Sequence, residues 1–268
     1  MATKTSTSLE ELRDSWRIQR RVIWALVMRE ILTRYGRHNI GFLWLFVEPM
    51  IFTLLVTALW SSTKSLHGST IPIVAFAVTG YSSVLLWRNM PARTIEALTP
   101  NSGLLHHRNV RPIDIYLSRI FLEIAGATTA FVVLVIFFYA IGWLELPEDL
   151  VQVAEGWALS AWFGSSLALF LGALSERTEI VQKFWKPTSY IVFPLSGAAF
   201  LVDWLPKQGQ EFVLLLPMVH GVEYLREGFF GSQINAHHDI PYMAIINAVL
   251  TLFGLSQVRA IGSNVVPE

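Results

Sequence analysis

Apolar residues run almost unbroken from position 41 to 61, GFLWLFVEPMIFTLLVTALWS. That is about one bilayer crossing, since a membrane helix needs roughly 20 such residues. Five more apolar segments follow at about 71–87, 120–143, 157–174, 187–202 and 241–258. The pattern predicts an all-α integral membrane chain with six crossing helices. The fifth segment is the least regular, with Pro194 and Gly197 inside it. The piece 212–219 is too short to span and reads as part of a re-entrant or interfacial hairpin. Ahead of the first segment the period changes. Trp24, Val27, Met28, Ile31, Leu32 and Tyr35 fall at helical spacing, with Arg29, Glu30, Thr33 and Arg34 on the other side. Glu30 and Arg34 are also an i,i+4 pair in the favoured order. The expectation is a helix lying in the membrane plane, apolar face down. Arg13, Arg17, Arg20 and Arg21 would meet anionic head groups. Such a helix anchors the chain, or frames a lateral entrance between helices; the two roles are compatible.

Charge sets the orientation. With the N-terminus on the cytoplasmic side, 17 of the 20 Lys and Arg residues fall on inner segments, as the positive-inside rule requires. The inner segments are 1–41, 88–119, 175–186 and 259–268, and both termini are then cytoplasmic. The outer segment 203–240 is acidic. Trp44, Trp60, Trp87, Trp143, Trp157, Trp185 and Trp204 cluster near the expected helix ends, where an indole suits the interface. Charged residues make up only 15% of the chain and the mean hydropathy is +0.47, which fits a chain solvated mostly by lipid. Net charge is zero, so nothing favours nucleic acid. Cysteine is absent, excluding disulfides and Cys-ligated metal. No secretory signal pattern is visible in residues 1–20.

Candidate chemistry is sparse. Glu48, beside Pro49, is an acidic residue deep inside a crossing segment. An acidic residue there costs about 2.5–3.5 kcal/mol, so it should face protein or water. It is either a hydrogen-bond anchor, with Arg37 or a neighbouring helix, or a pore-facing group. Glu123 lies near a helix end, where Arg119 can reach it at i,i+4. Two carboxylates are too few for a proton relay. His106 and His107 are adjacent without a third ligand, and His237, His238 and Asp239 read as a hydrated loop or a metal cluster. His220, Glu223 and Arg226 lie three apart on one helix face without a nucleophile in register, so Arg226 pairing Glu223 as a clasp is the expected role. The fourth segment places Gly156, Ser160, Gly164, Ala168 and Gly172 four apart. This stripe lets another backbone approach closely, within or between subunits. No Gly-x-x-x-x-Gly-Lys-Ser/Thr phosphate loop occurs, so no P-loop binding of ATP is expected.

Two stretches carry a family resemblance. LVMREILTRYGRHNIGFLWLFVEPM resembles the signature of type-2 ABC exporter permeases, and more closely that of the subunit exporting capsular polysaccharide in Gram-negative bacteria. Its motif positions are Arg29-Glu30, Arg34-Tyr35, Gly41, Trp44 and Pro49. PMVHGVEYLREGFFG resembles the family's outer segment, with Leu216 where Asn usually precedes Pro217. The resemblance implies an ABC-2 fold organised as a cytoplasmic segment 1–41, a six-span domain 42–258 and a tail 259–268. It also implies a homodimer in the inner membrane, with two ATPase subunits that bind ATP and Mg in place of this chain. The cargo it implies is lipid-linked polysaccharide, and envelope-spanning export components are further possible partners.

In such permeases a coupling helix sits in the loop matching 89–118. Asn101, Leu104, Leu105, His106, His107 and Arg108 are the candidates here, unless this is only an ordinary basic inner loop. Trp24, Met28, Arg29, Glu30, Arg34 and Tyr35 would form the interfacial helix and lateral gate. His220, Glu223 and Arg226 would hold the outer hairpin. A sliding glycan needs stacking faces, and candidates are Phe42, Trp44, Phe46, Glu48, Phe52, Trp60, Trp185, Tyr190 and Phe193. For each aromatic, a lipid belt or helix packing is the competing role. Export of O-antigen, teichoic-acid-type polymers or drugs by the same fold is the near alternative. An integral-membrane enzyme or proton-coupled carrier is the distant one.

Overall fold

The computed structural model describes residues 8–35, 71–105 and 110–265, with isolated helical positions between 47 and 58. The first expected crossing and residues 106–109 therefore lie outside the described residues, apart from those isolated positions. The helices are α1 (Ser8–Tyr35), α2 (Ile73–Thr94), α3 (Ser102–Leu105), α4 (Pro112–Ala140), α5 (Leu150–Ser175), α6 (Ile180–Leu195), α7 (Lys207–Val213), α8 (Pro217–Phe230) and α9 (Ile240–Val265). Short 3-10 turns at Thr99–Asn101, Val202–Trp204 and Gly231–Gln233 link some of them. Among the described residues α4, α5 and α9 (over 240–262) are long and apolar enough to cross a membrane.

Local chemistry explains the boundaries. α4 opens with Pro112 at its first position, where the missing N–H costs nothing. The Asp114 carboxylate accepts the Arg111 backbone N–H at 2.8 Å. Asp149 caps α5 by accepting from the Val151 and Gln152 backbones at 2.8 and 3.0 Å. The segment 187–202 does not form one helix. α6 begins earlier, at Ile180, and stops at Leu195. Its first turns carry Gln182, Lys183 and Lys186, which hydropathy alone assigns to a loop. Pro194 sits in its last turn, and Gly197 at φ +81° then turns the chain in a way only glycine does freely.

α5 is the hub, packed by α2, α8 and α9, while α4 lies between α2 and α1. The small-residue stripe makes this possible within one chain. A Cβ on Gly156 would lie 2.8 Å from the Leu225 backbone nitrogen in α8. One on Gly164 would lie 2.8 Å from the Trp87 Cα in α2. Gly172 faces Tyr116 and Thr94 just as closely, and Thr94 donates to the Ala168 carbonyl at 2.9 Å. α2 is buried along most of its length although it carries Thr79, Ser82 and Ser83. Thr79 and Ser83 donate to carbonyls one turn back, at 2.8 and 2.6 Å, which hides hydroxyls in an apolar setting. Exposed apolar rows remain on α4 (Val132, Val133, Ile136, Phe137) and α9 (Ile245, Val249, Leu252, Phe253).

α1 divides its apolar residues between two faces. Leu26 and Val27 pack inward, whereas Trp24, Met28 and Leu32 are exposed. The face carrying Glu30 and Arg34 also turns inward, against α4, instead of toward water. The reason lies in α4, which supplies the countercharges described next.

Candidate functional site

Three places gather the functional candidates. The first is the junction between α1, the end of α2, the loop after it and the start of α4. Arg34 bonds Glu30 at 3.1 Å and also Glu123. Arg119 approaches Glu30 at 3.4 Å, and Arg93 approaches Glu123 at 3.5 Å. Glu123 is thus held by Arg34 and Arg93, and Arg119 is drawn away to Glu30. The i,i+4 pairing of Arg119 with Glu123 does not form, because α1 brings a second pair of charges into reach. Removing Arg34, which strands both carboxylates, costs more than removing Arg93, whose side chain is 53% exposed and screened by water.

The same helix grips the loop. Arg29 Nη1 donates to Asn101 Oδ1 at 2.5 Å, and the Gln19 amide donates to Asp114. Asn101 is buried and donates back to the Ala97 carbonyl at 2.8 Å. Leu104 and Leu105 pack their half-buried side chains against the main core. His106, His107 and Arg108 lie outside the described residues, as does the Tyr35 side chain. This arrangement can transmit a displacement of the loop to α1. Sequence reasoning missed Arg93, Gln19 and the Arg29–Asn101 contact. Their only trace is a run of Arg residues at the expected inner boundary.

The second place is the segment 197–239, around α8. Arg226 is fully buried in α8. It donates to the carbonyls of Gly197, Phe200 and Ala198 at 2.6, 2.8 and 2.7 Å, and to that of Phe76 at 3.3 Å. Its guanidinium carbon sits 3.8 Å from the Phe76 ring centre. Gly80 leaves room for it, since a Cβ there would lie 2.3 Å from the Arg226 Nη2. Glu223 accepts the backbone N–H groups of Val202 and His237 at 3.3 and 3.1 Å. Glu223 and Arg226 therefore do not clasp each other as an ion pair. Each binds backbone instead, because the irregular segment 196–202 presents unpaired carbonyls and an amide. Burial pushes the Glu223 carboxyl up, countered by Arg226 and the two amides.

His220 is buried as well, with Nε2 2.8 Å from the Leu214 carbonyl. The Asp239 N–H donates to its Nδ1 at 2.9 Å. An Nδ1 that accepts leaves the proton on Nε2, so the ring is neutral. Burial lowers its pKa accordingly. His237 and His238 face different carboxylates, Asp203 at 3.2 Å and Glu227 at 2.8 Å. The Asp239 carboxylate accepts the Tyr242 N–H, at 2.9 Å. No group of three or more potential metal ligands converges among the described residues.

The third place is α6. Trp185 and Phe193 are half-buried against a core of Val84, Trp87 and Phe163. Tyr190 is 67% exposed, with the Arg88 guanidinium 4.4 Å above its ring. Phe193 meets Tyr81 edge-on at 6.2 Å. The other path candidates, Phe42, Trp44, Phe46, Glu48, Phe52 and Trp60, lie outside the described residues.

Comparison with known proteins matches residues 21–230 to the ABC-2 type transporter family. The capsule polysaccharide export inner-membrane protein CtrC of Neisseria meningitidis serogroup B is 45% identical over 255 residues, covering 95% of this chain and 96% of the relative. The capsule polysaccharide export inner-membrane protein BexB of Haemophilus influenzae is 40% identical over 256 residues, covering 96% and 97%. The polysialic acid transport protein KpsM of Escherichia coli is 24% identical over 247 residues, covering 92% and 96%. With the greater part of its length matched, and with an all-helical described structure gathered around α5, the chain belongs to the ABC-2 type transporter family.

Proposed function

We propose that this chain is the membrane subunit of an ATP-driven exporter that moves capsular, lipid-linked polysaccharide across the bacterial inner membrane. The observation that carries this reading is the 45% identity, along 95% of the chain, to a protein named for capsule polysaccharide export in the inner membrane. Two copies pair, and two ATPase subunits that hold ATP and Mg dock beneath them on the loop 89–118. The chain spans six times, with both termini in the cytoplasm. Its units are the segment 1–41, the domain 42–258 and the tail 259–268. α1 lies at the inner interface and frames the lateral entrance. The first crossing and α6 line the path. The segment 203–240 forms an outer re-entrant hairpin, and the chain works beside envelope-spanning components.

The residue geometry supports a mechanical role for the loop. Arg29–Asn101, Gln19–Asp114 and the Arg34–Glu123 network bind α1 to the loop and to α4. Displacing the loop by ATP binding in the partner then drags α1 with it, and the entrance opens or closes. The outer segment stays rigid, because Arg226 ties it to α2 and to 197–200.

The test is the location of long-chain glycan in a strain lacking this protein. Glycan retained inside the cell, and returned to the surface by the wild type but not by a variant altered at Leu104 and Leu105, is the expected result. Normal surface glycan in the deletion strain would overturn the cargo assignment. Export that persists when the partner's ATP site is disabled would overturn the energy source.

A further inference from the structure

One groove plays no part in the α1 junction or the outer segment. Ala92 and Glu96 on one side, and Gln182, Lys183, Trp185 and Lys186 on the other, line a cleft of about 560 Å³. Small-molecule sites fall within about 300–1,000 Å³. Arg88, Ala92 and Glu96 follow one another at four-residue spacing along the α2 face and just past its end. Gln182, Lys186 and Tyr190 do the same on α6. The two stripes therefore face each other and lead from the cleft toward the membrane, ending where Phe193 meets Tyr81.

The charges along this groove do not balance. Lys183 is offset by Glu179 at 3.0 Å. Glu96, the acidic residue of the cleft, is engaged by the Gln182 amide at 2.6 Å. Arg88 and Lys186 have no carboxylate partner among the described residues. The Arg88 guanidinium carbon lies 4.4 Å from the Tyr190 ring centre and 5.9 Å from that of Phe193, and its N–H donors suit a two-pronged contact with an oxyanion. Both cations sit at the inner boundary by the charge rule, where basic pockets between helices take lipid phosphates. Flat aromatic rings beside uncompensated cations suit an acid group carried on a sugar or a glycerol.

We propose that the groove between α2 and α6 binds an oxyanion, a phosphate or carboxylate attached to a saccharide or lipid, through Arg88 and Lys186. Assigning that group to the exported cargo rests on the export reading above; the oxyanion site itself does not.

The experiment uses the full transporter with its ATPase in phosphatidylcholine nanodiscs. The probes are a short oligomer of sialic acid, a neutral dextran oligosaccharide, and phosphatidylglycerol titrated into the disc. The Arg88→Gln/Lys186→Gln variant should lose about tenfold or more in affinity for an acidic probe, the wild-type affinity should fall with salt, and the neutral probe should be unaffected. Loss for the sialic acid oligomer assigns a glycan acid; loss for phosphatidylglycerol alone assigns a lipid phosphate. Arg88→Lys/Lys186→Arg, which keeps both charges but not the fork over Tyr190, should lose less than the double Gln variant. Unchanged affinity for both acidic probes overturns the site. Lys186 is exposed, so Lys186→Gln alone keeps the test informative should the double variant fold poorly; it should weaken the same acidic probe. Surface glycan in complemented cells separates the two readings. Unchanged probe binding with full export removes the oxyanion site and leaves the export role standing.

Discussion

Two residues in α8 show how burial turns polar side chains into structural parts. Arg226 works because a guanidinium offers five donors in a planar fork, enough for the carbonyls of Gly197, Ala198, Phe200 and Phe76. His220 works only when neutral, since its Nδ1 must accept from Asp239. Its pKa is lowered in the folded protein, while the unfolded value is about 6.5. The sign follows: above about pH 6.5 the full contribution is present, and it is lost as pH falls toward the folded value, because the unfolded chain takes up the proton first. Asp239, His238 and the Tyr242 ring are the groups that surround it. The melting temperature in detergent should therefore drop between about pH 7.5 and 5, and drop less in His220→Gln, whose amide can accept and donate at either pH. Equal pH dependence in both proteins would exclude His220 as the sensitive group. The spacing of His220, Glu223 and Arg226 was visible in the sequence. Their partners were not, because those are backbone atoms of a segment whose path no side-chain pattern records.

Among the elements, α5 decides the packing. Its glycines were legible as a stripe, and the stripe predicts close approach. Only the structure shows that the approaching backbones are α2 and α8 of the same chain. Adding a methyl group at Gly156 forces α8 outward, since the contact at 2.8 Å is with rigid backbone. Gly156→Ala should cost about 1–3 kcal/mol, read as a lower midpoint of unfolding in detergent. Gly262→Ala, where nothing lies within 4 Å, is the control and should not lower it. Comparable losses at both positions would mean that the close approach at Gly156 is not what the change disrupts, since backbone entropy alone makes Gly→Ala in a helix stabilising. α1 teaches the complementary lesson. It is helical, as its 3.6-residue period implies, but its apolar residues divide between two faces and the inward one also holds Glu30 and Arg34. Periodicity sorts residues by polarity, and a charged face pairs inward when a neighbouring helix carries the opposite charges.

At the scale of the whole molecule, the absence of cysteine makes topology directly testable. A membrane-impermeant maleimide should label Gln208→Cys in spheroplasts, and label Gly103→Cys only after permeabilisation. The opposite pattern would invert the proposed orientation. Sequence alone determined that the chain is a helical membrane protein, where its apolar segments lie and which family it resembles. Those properties come from local composition, because a bilayer forces every spanning segment to be apolar and to satisfy its own hydrogen bonds. The tertiary structure decided what spans a distance along the chain. It set the early start of α6, the exchange of partners between Arg119 and Arg34, the backbone cradle of Arg226 and the facing stripes of Arg88 and Lys186. Each depends on which helices become neighbours, and in an apolar solvent that is settled by shape and polar pairing between distant residues, which no single segment encodes.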